Sequence, residues 1–361
     1  MIKNIKFDDS DLPTISCCMI VKNEETNLRK YLAPIASVFD ELIIVDTGSS
    51  DGTVEIAKEL GAKVFFFPWM EDFAAARNVG LNQATKDYIF WFDADDEIAK
   101  QDIARLKFHL KNHPGQVHLH LVDFQGGMRF DSHQLRVFPN NPKYRFSGKI
   151  HEQVAPALDA DHVPTSYLDA VVIHRGYENE GVLKSKLERN MALLRKEVER
   201  TPEDFQAWFT LGRTALSLGL IQEGARALDK CFELYESGEV VYKEHIAMAY
   251  VTKAAILPAK DSIKLLEKGK TLFPDFMPLS ATLGETYFRN KMYEKAYKTL
   301  LPFRNGEYNV GLYPMDIGKF MAALKNFLAI SSLVVGDFKT AEKLFAGFIK
   351  DPDFKINKGN K

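Results

Sequence analysis

Apolar and polar positions follow two different periods along this chain, and the change of period divides it. In the first half, short β-rich runs at 15–21, 41–45 and 63–67 alternate with helical patterns over 24–38, 53–60 and 71–84. A fourth apolar run, Tyr88-Ile89-Phe90-Trp91-Phe92, stops abruptly at Asp93-Ala94-Asp95-Asp96-Glu97. Strands spaced by helices of this length predict a largely parallel sheet with helices on both faces. Further β-rich runs at 117–124, 134–138, 144–146 and 168–174 predict antiparallel additions to the same sheet. Gly126-Gly127 and Pro139-Asn140-Asn141-Pro142 punctuate them as turns.

From Gly181 onward the period is helical almost throughout, and some segments resemble one another. Trp208-Phe209-Thr210-Leu211-Gly212 precedes Gly219 and Ala225, Leu283-Gly284-Glu285-Thr286-Tyr287 precedes Tyr293 and Ala296, and Gly336-Asp337-Phe338 precedes Ala341. These are degraded copies of the tetratricopeptide pattern W-x2-L-G-x2-Y, irregularly spaced. The expected organisation is an N-terminal extension over 1–13, an α/β domain over 14–180 and a connecting helix over 181–200. A tetratricopeptide-like helical domain over 201–350 and a tail over 351–361 complete it.

The 361 residues carry 47 Lys and Arg against 49 Asp and Glu, a formal net charge of −2. That balance gives no global attraction toward nucleic acid or an anionic membrane. Three cysteines, Cys17, Cys18 and Cys231, make neither a CxxC pair nor a disulfide framework, which fits a reducing, cytoplasmic setting. The first residues lead into Asp8-Asp9-Ser10-Asp11 rather than an apolar core, so no signal peptide is expected, and no apolar run reaches the length of a membrane span. His109, His113, His118 and His120 superficially suggest zinc, but no cysteine supports them and Pro114-Gly115 separates the pairs.

The acidic strand end is the strongest chemical signal. Crowded carboxylates repel one another unless a cation sits among them, and a hard divalent ion shared with ligand phosphates is the usual solution. Open α/β sheets place ligand sites beyond the carboxyl ends of their strands, where this cluster falls.

Four motifs occur in order: Met19-Ile20-Val21-Lys22-Asn23-Glu24-Glu25, Ile44-Val45-Asp46-Thr47-Gly48-Ser49-Ser50-Asp51-Gly52-Thr53, Ala76-Arg77-Asn78, and Asp93-Ala94-Asp95-Asp96. Together they resemble family 2 glycosyltransferases, which have the nucleotide-sugar-binding GT-A fold, over roughly residues 14–180. The resemblance implies an α/β GT-A domain that uses a UDP-sugar donor with Mg²⁺ or Mn²⁺ and transfers with inversion. It implies nucleotide-sugar binding by Val21, Asn23, Glu24, Asp46, Arg77, Asp93 and Ala94, with Asp46 accepting from a uracil N–H and Arg77 offering its planar donor fork to a carbonyl or phosphate. If the acidic segment is extended, Asp93 and Asp95 share a side and address ribose and metal. Asp95 would hold the cation, with His174 as a further metal ligand, and Lys186 would approach the diphosphate.

Inverting transfer also needs a base. The segment Arg145-Phe146-Ser147-Gly148-Lys149-Ile150-His151-Glu152-Gln153 presents His151 and Glu152 together, and Glu152 matches the family's catalytic carboxylate by position. The family's common Glu-Asp pair is His-Glu here, so the choice between the two stays open, with Glu152 favoured. A family 2 domain followed by tetratricopeptide-like helices is similar to the bacterial peptide glycosyltransferases that modify Cys or Ser. A peptide or protein acceptor, or homodimerisation, is then expected of the helical domain. The rival readings are a cell-envelope glycan or lipid-carrier acceptor and, in another class, a non-catalytic interaction protein with a degenerate transferase domain.

Overall fold

A computed structural model describes residues 11–125, 128–150, 152–176, 180–238, 243–305 and 317–350. They fall into two compact units, one through Ser185 and one from Lys186 onward.

The first unit is built on an eight-stranded sheet of order β3-β2-β1-β4-β7-β6-β8-β5. Its strands are β1 (Ile15–Val21), β2 (Glu41–Asp46), β3 (Lys63–Phe66), β4 (Tyr88–Trp91), β5 (Asp96–Ile98), β6 (Gln116–Gln125), β7 (Met128–Pro139) and β8 (Thr165–His174). The first four pair in parallel, and β7 joins β4 antiparallel. β6 pairs antiparallel with β7 and parallel with β8, whose far edge carries β5 antiparallel. β1, β2 and β4 are buried almost throughout, as a parallel sheet covered on both faces requires. One face packs Leu28, Leu32, Ile56, Ile103 and Leu106 against Ile15, Ile44 and Phe90; the other packs Ala74, Leu81 and Leu158 against Ile43, Ile89 and Trp91.

Two expected elements are corrected. The helix over 24–38 is instead a single turn, α1 (Glu25–Asn27), then a π-helical turn Leu28–Leu32 and a 3₁₀ turn Ala36–Val38. Pro34 has no N–H to continue the winding, which ends at Ala33, whose own N–H still reaches the Leu28 carbonyl at 2.9 Å. Residues 144–146 are not a strand. The N–H and C=O of Phe146 are both satisfied by the Asn78 side chain, at 2.9 Å each, rather than by a neighbouring strand. The turn expected at Gly126-Gly127 lies outside the described residues.

The remaining helices of this unit are α2 (Thr53–Glu59), α3 (Phe73–Leu81), α4 (Lys100–Asn112) and α5 (Ala155–Ala160). α3 is N-capped by Asp72, which accepts from the Ala75 N–H at 2.8 Å. The helix α6 (Glu180–Arg200) contains the division between the units.

The second unit is helical: α7 (Phe205–Ser217), α8 (Ile221–Glu236), α9 (Lys243–Ala254), α10 (Ala259–Leu272), α11 (Met277–Arg289), α12 (Tyr293–Leu300), α13 (Ile317–Val335) and α14 (Phe338–Lys350). Successive helices pack in pairs, α7 on α8, α11 on α12 and α13 on α14. The glycines of the two Leu-Gly motifs sit at these crossings. A Cβ at Gly212 would stand 3.0 Å from Leu228, and one at Gly284 would stand 2.3 Å from Leu300, so each motif marks a close helix–helix approach. Among the described residues no helix is long and apolar enough to cross a membrane.

Candidate active site

The carboxyl ends of β1 and β2 are stitched into one polar rim. The Val21 carbonyl accepts from the Thr47 N–H and hydroxyl at 2.9 and 3.0 Å. Asn23, in the left-handed region at φ 57°, takes the Ser50 N–H on its side-chain oxygen at 2.8 Å, and its own N–H reaches the Ser49 hydroxyl. The Glu24 N–H donates to the Thr53 hydroxyl at 2.7 Å, and the Glu24 carboxylate accepts from Asn27. Asp46, buried at the end of β2, receives the N–H groups of Gly48 and Ser49 at 3.1 Å on Oδ2. This turn therefore fixes the Asp46 carboxylate before any ligand arrives.

The acidic segment after β4 is a turn rather than a strand. Ala94 and Asp95 occupy it, and the Asp96 N–H donates to the Asp93 carbonyl at 3.1 Å. Alternation therefore does not bring Asp93 and Asp95 to one side, and the residues that converge are Asp93 and Asp96. Their carboxylates and a ring nitrogen of His174 lie within 4.8 Å of one another. His174 ends β8 directly opposite Asp96 on β5, with Nδ1 2.8 Å from Asp96 Oδ1 and 3.5 Å from Asp95 Oδ1.

Two buried arginines hold this acidic group. Arg77, on α3, donates from Nη2 to Asp93 Oδ1 at 2.9 Å and from Nε to Glu152 Oε1 at 2.5 Å. Its Nη1 is buried without a partner. Arg136, on β7, is fully buried, with Nη1 2.9 Å from Asp96 Oδ2 and 3.4 Å from Asp93 Oδ2. Both guanidiniums stand over the Trp91 ring, at 4.6 Å and 3.9 Å from its centroid.

The electrostatics follow from this packing. Burial opposes the charged form of Asp93, yet Arg77, then Arg136 and His174, outweigh it and hold its carboxyl well below the usual range. Burial likewise opposes the Arg77 charge, but Asp93 and Glu152 keep it firmly protonated. For His174, burial works downward, and the Asp96 hydrogen bond with the charges of Asp96, Asp95 and Asp93 overcomes it, raising the imidazole to about 9. Asp123, opposite His174 on β6, is pushed up chiefly by burial, and its Oδ1 has no partner.

Of the expected site residues, Asp46, Arg77, Asp93, Asp95, Glu152 and His174 are all described in the first unit, and an ion-pair path runs through Glu152, Arg77 and Asp93. Ala94 is buried in the acidic turn. Lys186 belongs to the second unit, half-buried on α6. His151 lies outside the described residues. Sequence reasoning missed Arg136 altogether and gave Asp96 no separate role. The usable signal was the run Leu135-Arg136-Val137-Phe138, apolar on both faces, where an arginine must be buried and must find carboxylates.

The donor set suits a hard divalent cation. Carboxylate oxygens with one imidazole, at the end of a strand and close together, match Mg²⁺ or Mn²⁺ better than a soft-ligand metal. Two of the four histidines considered for zinc are otherwise engaged: His109 bonds Ser166, and His120 sits between Asp131 and Asp169.

Residues 16–172 match the family model described as Glycosyl transferase family 2. The chain carries a family 2 glycosyltransferase domain. It is 31% identical over 233 residues to the SPbeta prophage-derived glycosyltransferase SunS of Bacillus subtilis, covering 62% of this chain and 53% of that protein. It is 34% identical over 227 residues to a TPR repeat-containing protein of Synechococcus elongatus, covering 60% and 55%. The chain thus spans about half the length of the curated relatives it matches. A structural match is S. aureus TarS 1-349 in complex with UDP-GlcNAc, at 16% identity and TM-score 0.41, covering 82% of this chain and 93% of that one. The family match over residues 16–172 and the sheet order give the first unit the α/β architecture of a GT-A domain, as the four motifs imply, and a helical unit follows it in sequence.

Proposed function

We propose that this protein is an inverting glycosyltransferase that moves a sugar from a UDP-sugar to a Cys or Ser side chain of a peptide or protein. The observation that carries this reading is the path Glu152–Arg77–Asp93, which ties the candidate base to the donor-side carboxylate through one buried arginine.

In this reading Val21, Asn23, Glu24 and Asp46 frame the nucleoside, with Asp46 accepting from the uracil N–H. Arg77 Nη1, buried and unpartnered, donates to the nucleotide, and Asp93 with Ala94 faces the ribose. Asp95 and His174 would hold Mg²⁺ or Mn²⁺. The cation, when bound, offsets the negative charge that gathers on the leaving nucleoside diphosphate. Glu152 takes the proton from the acceptor thiol or hydroxyl as that atom attacks the anomeric carbon, with His151 as the alternative base. Paired helices stacked beyond Lys186 offer the extended surface that a peptide acceptor, or a second copy of the chain, would use. A cytoplasmic setting belongs to the same reading, since Cys17, Cys18 and Cys231 are all buried and unpaired.

A thermal-shift panel of nucleotide sugars with and without Mn²⁺ tests the donor site, and stabilisation is expected with uridine nucleotides and to increase with Mn²⁺. Intact-mass measurement of candidate peptides after incubation with UDP-sugars tests the acceptor. Stabilisation confined to another nucleotide overturns the donor assignment; sugar found only on a lipid or glycan overturns the acceptor.

A further inference from the structure

We propose that Arg136, aimed by a bulge in β7, is a positioning residue that fixes the Asp93 carboxylate for the ribose of the donor nucleotide. The inference rests on the donor-site reading above, in which Asp93 faces the ribose, and gives a role to a residue which that reading leaves unused.

The bulge is visible in the strand register. Val117 on β6 pairs with Val137 on β7, but the next residue, His118, pairs with Leu135, so Arg136 is the extra residue of β7. Regular alternation would send Leu135 and Val137 to the same face of the sheet. Instead Leu135 packs with Trp91 and Phe138 on one face, and Val137 packs with Phe90 and Leu119 on the other. A bulge re-aims a side chain, and this one turns the guanidinium toward the acidic turn after β4.

Arg136 reaches Asp93 by two routes. Its Nη1 is 3.4 Å from Asp93 Oδ2, and the same nitrogen is 2.9 Å from Asp96 Oδ2. That Asp96 oxygen also accepts the Asp93 backbone N–H at 3.2 Å, so one guanidinium nitrogen steadies the side chain directly and the backbone through Asp96. Trp91 holds the guanidinium in place. Its ring centroid lies 3.9 Å away, and its indole N–H is tied at 2.8 Å to the carbonyl of Leu135, the neighbour of Arg136. Asp93 keeps capacity for a ligand. Arg77 takes Oδ1 and Arg136 takes Oδ2, about half of what a carboxylate can accept. Its side chain is 25% exposed.

Stability alone does not account for the arginine. Replacing a buried ion pair by well-packed apolar side chains is often neutral or stabilising. Arg136 is buried, and its Nε has no hydrogen-bond partner among the described residues. The arrangement is accounted for by what it holds.

The test uses the full chain and the variants Arg136→Lys and Trp91→Phe, with calorimetric titration of UDP, 2′-deoxy-UDP, 3′-deoxy-UDP and CDP at saturating Mn²⁺. Wild type is expected to prefer UDP about 10–100-fold over at least one deoxy nucleotide, the usual range for a hydrogen bond to a charged group. Lysine keeps the charge but lacks the planar fork, so Arg136→Lys is expected to bring that ribose preference down to about threefold or less. Its preference for UDP over CDP should stay at the wild-type value. Trp91→Phe, which leaves a smaller ring beside the guanidinium, is expected to fall between. These affinity ratios do not depend on the folded fraction of a preparation, so a merely structural loss would move neither. A folded variant of either kind with wild-type ribose preference overturns the proposal. Failure of both variants to fold overturns it too, since the pair would then serve the fold rather than the donor. Wild type that binds UDP and its deoxy forms equally overturns the placing of the ribose at Asp93, and the proposal with it. Wild type that binds no uridine nucleotide overturns the donor site itself.

Discussion

Arg77 and Glu152 are 75 positions apart, yet Nε of the arginine donates to Oε1 of the carboxylate at 2.5 Å. The same guanidinium holds Asp93, so the two carboxylates share one cation. Glu152→Gln keeps the shape of this contact and removes the proposed base. We expect transfer to fall about 10²–10⁴-fold, the usual contribution of a general base, with UDP-sugar affinity unchanged. Steady-state kinetics with calorimetric donor binding checks this, and turnover equal to wild type would exclude Glu152 as the base.

Asn78 clamps the segment that carries Glu152. Its side chain donates to the Phe146 carbonyl and accepts the Phe146 N–H, both at 2.9 Å, six residues before the carboxylate. Asn78→Ala leaves both backbone groups to find other partners, at a cost of about 1–3 kcal/mol to stability. The catalytic effect should appear in kcat more than in KM, because the proposed donor site on β1 and β2 is untouched. Denaturant titration and kinetics on one preparation would separate these effects, and an equal change in KM would place the clamp elsewhere in the reaction.

The strand ends were legible because a parallel sheet writes them plainly: an apolar run buried on both faces must stop where the chain meets solvent, and Asp46 and Asp93 stand at such stops. Less local features were hidden. Whether Asp93 meets Asp95 or Asp96 depends on a turn whose residues are compatible with an extended chain, and only the i to i+3 hydrogen bond decides it. Arg136 was invisible for a related reason. Its need for burial comes from strands that flank it in space, and nothing within its own run names Asp93 or Asp96 as its partners. In the helical half, the Leu-Gly motifs pointed to paired helices because small residues at crossings are a local requirement of close packing.

Glu41 makes a separate acid-sensitive contact at the start of β2. Burial alone would raise its carboxyl, but hydrogen bonds from Lys63, Ser16 and Thr85 outweigh that and pull it down to about 2. A group depressed on folding contributes stability above its unfolded value, and that contribution is lost as pH falls toward the folded one. The window therefore runs from about pH 4.5 down to about 2, with the shift worth about 1–3 kcal/mol once screening of the exposed Lys63 is allowed for. Glu41→Gln should be less stable than wild type at pH 7, with the gap closing on acidification. A gap that stays constant from pH 7 to pH 3 would show that the ion pair is not its source.

Gly284 provides a probe confined to the helical unit. A Cβ there would meet Leu300 Cδ2 at 2.3 Å and Cγ at 2.4 Å, too close for either side chain to remain in place. Alanine gains about 1 kcal/mol of helix propensity over glycine. Overpacking at a tight crossing costs about 1–3 kcal/mol or more, so the clash should win and Gly284→Ala should lower the melting temperature. Adding Leu300→Ala to that variant removes the obstructing atoms and should recover much of the loss caused by the added methyl, because the two sites share one contact and their effects cannot be additive. Calorimetry of the two single variants and the double variant measures the coupling. Purely additive effects would mean that α11 and α12 do not meet at this glycine.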